Sequence, residues 1–442
     1  MSLPNFLPAS PARQSMIDQP ESPSMSSPSV NSLRSAYLVV TLGFLAIFFE
    51  GYDLVVYGAV VPALLAYPDW NLTAASAGVL GAMALFGMVL GAPASGWLSD
   101  RFGRRRLFIG LLAFFSCMMI GVALAPTPEA LGLFRFLAGL GFGGIPPTVI
   151  ALVIEFAPTR RRSLFTAITV AGFGVGAIVA GTLAVALLER IGFRGMFALG
   201  GLPLLTLVPL AIWLLPESPS FVRSAGESVP AQPAASPWAG VVRGRACIAT
   251  ALFAAANFFL FMLIFGLNTW LPVLMSGVGY ELSVALKFLV VFNVGALVGM
   301  PSCAWLADRL GMRQVAAATV LATALCLWLL SIPASTPVTV IVIFIAGVTA
   351  GGCQAVLWSF VGTYYAAESR ATAVGLTSGI GRLGGAAGPV IGGLLVSAGV
   401  GLSGNVVLLA AAAVLASVSV FLVPSSRPIA APNPAAARLV PP

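Results

Sequence analysis

The nine residues WLSDRFGRR at positions 97–105 recur 208 positions later as WLADRLGMR at 305–313. Each copy closes one apolar run, turns on a glycine and leads through basic residues into the next apolar run. At a nearly equal offset, GFGVGA at 172–177 matches GRLGGA at 381–386. The chain therefore reads as two halves built on one plan.

The composition says what that plan is made of. Of 442 residues, 59% are hydrophobic and 8% charged, with a mean hydropathy of +1.01. A soluble domain carries about 25% charged residues, so this chain lacks the side chains to cover a folded core with a solvated surface. A helix crossing a bilayer needs ~20 apolar residues. Cutting at charges, Pro clusters and Gly-rich turns gives six spans near 37–65, 74–98, 106–125, 130–156, 164–188 and 195–215. Six more fall near 246–275, 283–306, 314–332, 337–363, 371–397 and 402–423. The expected fold is all-α, with twelve transmembrane helices in two pseudo-symmetric six-helix bundles at 36–215 and 246–423. Residues 216–245, PESPSFVRSAGESVPAQPAASPWAGVVRGR, form the one long polar interruption and read as a linker. The ends at 1–35 and 424–442, rich in Pro with Ser or Ala, read as disordered tails.

The net charge of +8 does not point to nucleic acid, because the arginines sit in short loops between apolar runs. Arg101, Arg104, Arg105, Arg106, Arg160–Arg162, Arg223, Arg243, Arg245, Arg309, Arg313 and Arg370 all fall on one side, whereas the opposite loops offer Arg190 and Arg194. The excess of basic residues predicts that this side, and both termini, are cytoplasmic, in a cell (inner) membrane. Five scattered cysteines with no CxxC spacing support neither a zinc site nor a disulfide framework. No cofactor is implied. The chain has no histidine, so proton exchange near neutral pH falls to carboxyl groups whose surroundings favour the protonated form.

The stretch GWLSDRFGRRR (96–106) resembles the signature loop between the second and third spans of the major facilitator superfamily, and two six-span halves are that family's plan. Asp100 stands at a helix end where it can pair with arginine or cap a neighbouring helix. Gly96 and Gly103 allow close approach and a tight turn. The two copies are expected to hold the bundles together on the inner side through Asp100, Arg101, Arg104, Arg105, Asp308 and Arg309, and to release them for inward opening. The bland alternative is a basic topology anchor without a gating role.

Further stretches resemble the aromatic acid:proton symporter family within that superfamily. EGYD at 50–53 matches its first-span acidic-Gly-aromatic-Asp pattern, with Glu50 in place of the usual Asp. FRFLAGLGFGGIPPTVIALVIEFAPTRRR (134–162), NTWLPVLMSGVGY (268–280) and ESRATAVGLTSGIGRLGGAAGPVIGG (368–393) match its fourth, seventh and eleventh spans. With Tyr57, EGYDLVVYGAVVP is most similar to the benzoate and hydroxybenzoate branch. The resemblance implies a proton-coupled symporter that imports an aromatic carboxylate by alternating access, and a monomer in the lipid bilayer.

Glu50, Asp53 and Tyr57 share one helical face, although a carboxylate at a helix centre in the bilayer costs about 2.5–3.5 kcal/mol on insertion scales. Counted along the helices, Asp53 and Arg135 reach similar depth and are expected to pair when the site is empty. Asp53 would take up a proton when an arriving anion competes for Arg135, and Glu50 would share that proton. Arg382 lies near the middle of the eleventh span; it is either a structural ion-pair partner or a fork for a substrate carboxylate. Glu155, before Arg160–Arg162, suits an inner gate better than a proton carrier. Asn257, Asn268, Phe261, Gln354 and Trp358 are candidates to line an aromatic site, though aromatic stripes in membrane helices more often serve packing. Asn293 is expected to bridge helices.

Other readings stay open on sequence alone. PESPSF (216–221) resembles a sugar-porter hallmark, which would make this a sugar or polyol symporter; two buried arginines favour an anion. A drug–proton antiporter suits a cationic site poorly. A membrane sensor that binds aromatic acids without moving them is the alternative of another class. Enzyme chemistry lacks any nucleophile–base pairing or phosphate-binding GxxxxGK[ST] loop.

Overall fold

The computed structural model describes residues 30–158, 161–216 and 238–424. Most of the two expected tails, the greater part of the expected linker, and Arg160 lie outside the described residues. Among the described residues every regular element is helical: α1 (Val30–Leu65), α2 (Ala74–Phe102), α3 (Arg104–Leu124) and α4 (Pro128–Phe156), then, after a single turn at Ala239–Val242, α7 (Gly244–Gly277), α8 (Leu282–Leu310), α9 (Met312–Leu330), α10 (Thr336–Tyr364), α11 (Ala367–Ser397) and α12 (Leu402–Leu422). Between them, one helical stretch, Arg162–Gly200, is broken at Gly192, with φ 63° and ψ −179°. It divides into α5 (162–191) and α6 (193–214). Helix α1 starts at Val30, inside the tail expected to reach residue 35.

Eleven described helices are long and apolar enough to cross a membrane. The sixth span departs from the single helix expected near 195–215. It runs to Gly200, passes through a 3-10 turn at Leu202–Leu204 and resumes at Leu207–Leu214. Pro203 and Pro209 supply the reason, since neither has an N–H for the helical ladder. The direction of α6 follows from its contacts. Phe193 packs on Tyr67 and Trp70 near the end of α1, and Leu215 meets Arg105 at the start of α3.

The sequence repeat is a structural repeat. Gly103 and Gly311 have φ 84° and 97°, and each is the single residue between two helices. That backbone region is open to glycine and strained for other residues, so the one-residue turn explains both glycines. Arg105 donates through Nε to Leu215 O (2.5 Å) and through Nη2 to Ile212 O (2.6 Å). At the 208-residue offset, Arg313 Nη2 donates to Val423 O. Each arginine satisfies carbonyls at the end of its half's last helix, which have no intrahelical donor.

Core residues of the first half form one cluster and those of the second half another, with Trp270, Leu274, Leu286, Leu289 and Ala386 joining the first. The halves meet through α1–α7, α2–α11 and α5–α8. Their contacts concentrate away from the arginine-rich loops. Ala75 N donates across the halves to Ser397 Oγ (2.8 Å), while within the second half Trp270 Nε1 donates to Pro389 O (2.8 Å) at the stretch of α11 that α2 meets. A Cβ on Gly78 would strike Pro389, and one on Gly393 would strike Ala74. Eighteen residues along a helix are five full turns, about 27 Å, so Gly96 lies on the same stripe of α2 as Gly78, and Gly375 on the same stripe of α11 as Gly393. A Cβ at Gly96 or Gly375 would meet nothing within 4 Å. The close approach expected at Gly96 is therefore absent in this conformation: α2 and α11 touch on the far side and splay apart toward the basic side.

Candidate functional site

Helix α1 carries the acidic groups because its other faces can be wholly apolar and small. Gly51 and Gly58 let it press against the backbones of α5 at Phe173 and α7 at Asn268. Its remaining stripe holds Glu50, Asp53 and Tyr57, all buried. Arg135 of α4 is 1% exposed, and its Nη1 stands 3.4 Å from Asp53 Oδ1. Its guanidinium lies 4.3 Å from the centre of the Tyr57 ring and 5.8 Å from that of Phe197 in α6. Tyr57 is held in turn by its hydroxyl, which donates to Ala77 O of α2 (2.5 Å). The ring thus supports the cation from below, and Tyr57 does not line a cleft in this conformation.

Glu50 and Arg382 of α11 are near enough for their charges to interact, but they form no ion pair within 4 Å. Two carboxylates of one helix therefore face two arginines, one from each half. At an effective dielectric of 20, two charges about 4 Å apart attract by about 4 kcal/mol, and more distant ones by less, which does not exceed the several kcal/mol that desolvating each ion costs. The Asp53–Arg135 contact is also a single bond and not a bidentate fork. Glu50 Oε2, Asp53 Oδ2 and Arg135 Nε have no hydrogen-bond partner among the described residues. A cluster with weak net stabilisation and spare donor and acceptor capacity can exchange partners.

A cleft between the halves is walled by Phe173 of α5, Phe265 of α7 and Phe292 of α8, with Asn268, Asn293 and Gln354, all of the second half, as its polar side chains. Asn293 Nδ2 donates to Asn268 Oδ1 (2.9 Å), joining α8 to α7. Phe261 stacks on Phe265, centroids 5.7 Å apart. Asn257 is buried; its Nδ2 donates to Phe253 O (2.9 Å), and its Oδ1 has no partner among the described residues. Trp358 is exposed and lies outside this cleft.

The loop residues stay within their own halves. Arg104 pairs with Glu155, and Arg101 lies against Trp97 and Phe102. Arg309 covers Trp305 at 3.8 Å. Asp308 is exposed with no ion pair among the described residues. The Asp100 side chain lies outside the described residues. At the 208-residue offset from Arg104 and Glu155 stand Met312 and Thr363, whose Sδ and Oγ1 are 3.5 Å apart, so the ion pair of the first half has an uncharged counterpart in the second.

Sequence reasoning missed Phe197, which helps enclose Arg135, and Tyr52, whose hydroxyl donates to Met196 O (2.8 Å) and ties α1 to α6. It also left Phe173 out. Phe173 falls on the repeat position of Arg382, which was the available signal.

The family model described as Major Facilitator Superfamily matches residues 43–389 and 288–441. The chain is 35% identical over 388 residues to a gentisate transporter of Corynebacterium glutamicum, covering 86% of each chain. It is 33% identical over 420 residues to a benzoate transport protein of Acinetobacter baylyi, covering 88% of this chain and 90% of that one. A 4-hydroxybenzoate transporter of Pseudomonas putida is 30% identical over 417 residues, at 88% and 92% coverage. Among solved structures, a D-xylose–proton symporter superposes with a TM-score of 0.72 at 19% identity, covering 88% of this chain and 98% of its own. With eleven described helices able to cross a membrane, a repeated half and relatives of this kind, the chain is a multi-pass membrane protein and a transporter rather than an enzyme, and it belongs to the major facilitator superfamily.

Proposed function

We propose that this transporter imports a small aromatic carboxylate together with protons, by alternating access, with its basic side in the cytoplasm. The observation that carries the reading is the set of two arginines, Arg135 and Arg382, each opposed by a carboxylate of α1. A substrate carboxylate competes with Glu50 for Arg382, or with Asp53 for Arg135. The displaced carboxyl is left in a low-dielectric site where its neutral form is favoured, and it binds a proton. The loaded carrier then holds about the same net charge as the empty one, which suits movement through a membrane-spanning protein. The transport activities named for the relatives support an aromatic acid. Arg101, Arg104, Arg105, Glu155, Asp308, Arg309 and Asp100 serve the inner gate, open in the splayed form and closed when α2 meets α11 along its whole stripe.

Uptake of labelled benzoate, hydroxybenzoates and glucose into proteoliposomes tests this. Uptake of an aromatic acid should rise with an inward proton gradient and collapse with a protonophore. Glucose uptake without any aromatic acid uptake would refute the substrate class, and indifference to the protonophore would refute the coupling.

A further inference from the structure

We infer that Asn268, Asn293 and Gln354 read a hydroxyl on the substrate's ring, so that the protein selects hydroxylated aromatic acids over unsubstituted ones; this rests on the aromatic-carboxylate reading above. The amide orientations follow from their neighbours. Asn293 Nδ2 gives both of its hydrogens away, to Leu289 O and to Asn268 Oδ1, each at 2.9 Å. Its Oδ1 is then a free acceptor in the lining of the cleft. Asn268 Nδ2 gives one hydrogen to Ile264 O (2.9 Å) and keeps the other. Gln354, half-buried, makes no hydrogen bond among the described residues, so its whole amide is available.

Around these groups stand three phenylalanine rings, and no cationic side chain lines the cleft. A carboxylate fits poorly there: it could accept from Asn268 Nδ2 or Gln354 Nε2, but it carries no hydrogen for Asn293 Oδ1 and finds no positive charge. A phenolic O–H fits, donating to Asn293 Oδ1 and accepting from Asn268 Nδ2 or Gln354 Nε2. The carboxylate end belongs with the arginines, and the ring edge with the amides. An unsubstituted ring would press C–H groups on amides that lose water and gain no partner, and sites built to bond a hydroxyl reject analogues without one for that reason. The cleft also abuts the far-side seal, since a Cβ on Gly58 of α1 would strike Asn268 O.

The test is the ratio of initial uptake rates for 2-, 3- or 4-hydroxybenzoate against benzoate in proteoliposomes, for the full chain and for Asn293→Leu and Gln354→Leu. The expected result is that the unmodified chain prefers at least one hydroxybenzoate over benzoate by about tenfold, and that each variant lowers that preference several-fold. The ratio is internal to each preparation, so differences in expression cancel. Gln354→Leu decides the matter if Asn293→Leu does not fold, because Gln354 holds no helix–helix bond. A preference near one in the unmodified chain, or an unaltered ratio in Gln354→Leu, would overturn the inference while leaving aromatic acid transport standing. Failure to move any aromatic acid would instead remove the proposed function.

Discussion

Arg135 and Tyr57 define what a single residue does in this protein. The guanidinium is enclosed by the Tyr57 ring, Phe197 and one carboxylate. Losing one partner of a buried pair leaves an uncompensated charge, at about 3–5 kcal/mol. Asp53→Arg or Arg135→Asp alone should abolish proton-driven uptake, whereas the double exchange should recover a measurable part of it; equal loss in all three would refute the pairing. Tyr57→Phe keeps the ring under Arg135 and gives up only the bond to Ala77 O, about 1 kcal/mol. It should retain most of the uptake, and Tyr57→Leu, which removes the ring, should not. Arg382→Lys replaces a fork with a point charge, and its half-saturation concentration for benzoate should rise by roughly tenfold or more with the protein still folded by size-exclusion chromatography.

At the scale of elements, the one-residue turns between α2 and α3 and between α8 and α9 set the geometry of each half. Gly103→Ala and Gly311→Ala force a side chain into an extended positive-φ region open essentially to glycine, at about 1–3 kcal/mol each. Each should lower the melting temperature in detergent by several degrees. Gly96→Ala makes an informative contrast. It sits inside α2 with open space around it, and Ala is favoured over Gly within a helix by about 0.5–1 kcal/mol. The melting temperature should hold or rise, yet transport should slow, because the added methyl stands on the stripe that α11 must meet when the basic side closes. A normal transport rate in Gly96→Ala would mean that α2 and α11 never approach there.

For the whole molecule, contact at Gly78 and Gly393 together with open space at Gly96 and Gly375 describes a pair of helices hinged on the far side. Alternating access requires the opposite arrangement as well. Spin labels at Gly96→Cys and Gly375→Cys, in a chain whose five native cysteines are replaced, should show one long separation in the empty protein. Saturating hydroxybenzoate at acidic pH should add a shorter population. A distance distribution that ignores substrate would contradict the rocking motion.

Read without coordinates, the chain already specified a membrane protein of two repeated six-span halves, because hydrophobic length, the polar linker and the repeated loop are local properties that survive any arrangement of the helices. The pairing of Asp53 with Arg135 was legible in part, since helical periodicity and depth place both at one level. The breaks in the sixth span were written in Pro203 and Pro209, but their effect depends on which backbone groups find partners elsewhere. Three things were decided only in three dimensions. Glu50 comes within charge range of Arg382, Asn293 lines a cleft whose other walls come from four other helices, and Gly96 is open where Gly78 is packed. Each depends on how one helix is rotated and tilted against another, and in a membrane that is set by close packing between helices, a property of pairs of surfaces that no single stretch of sequence contains.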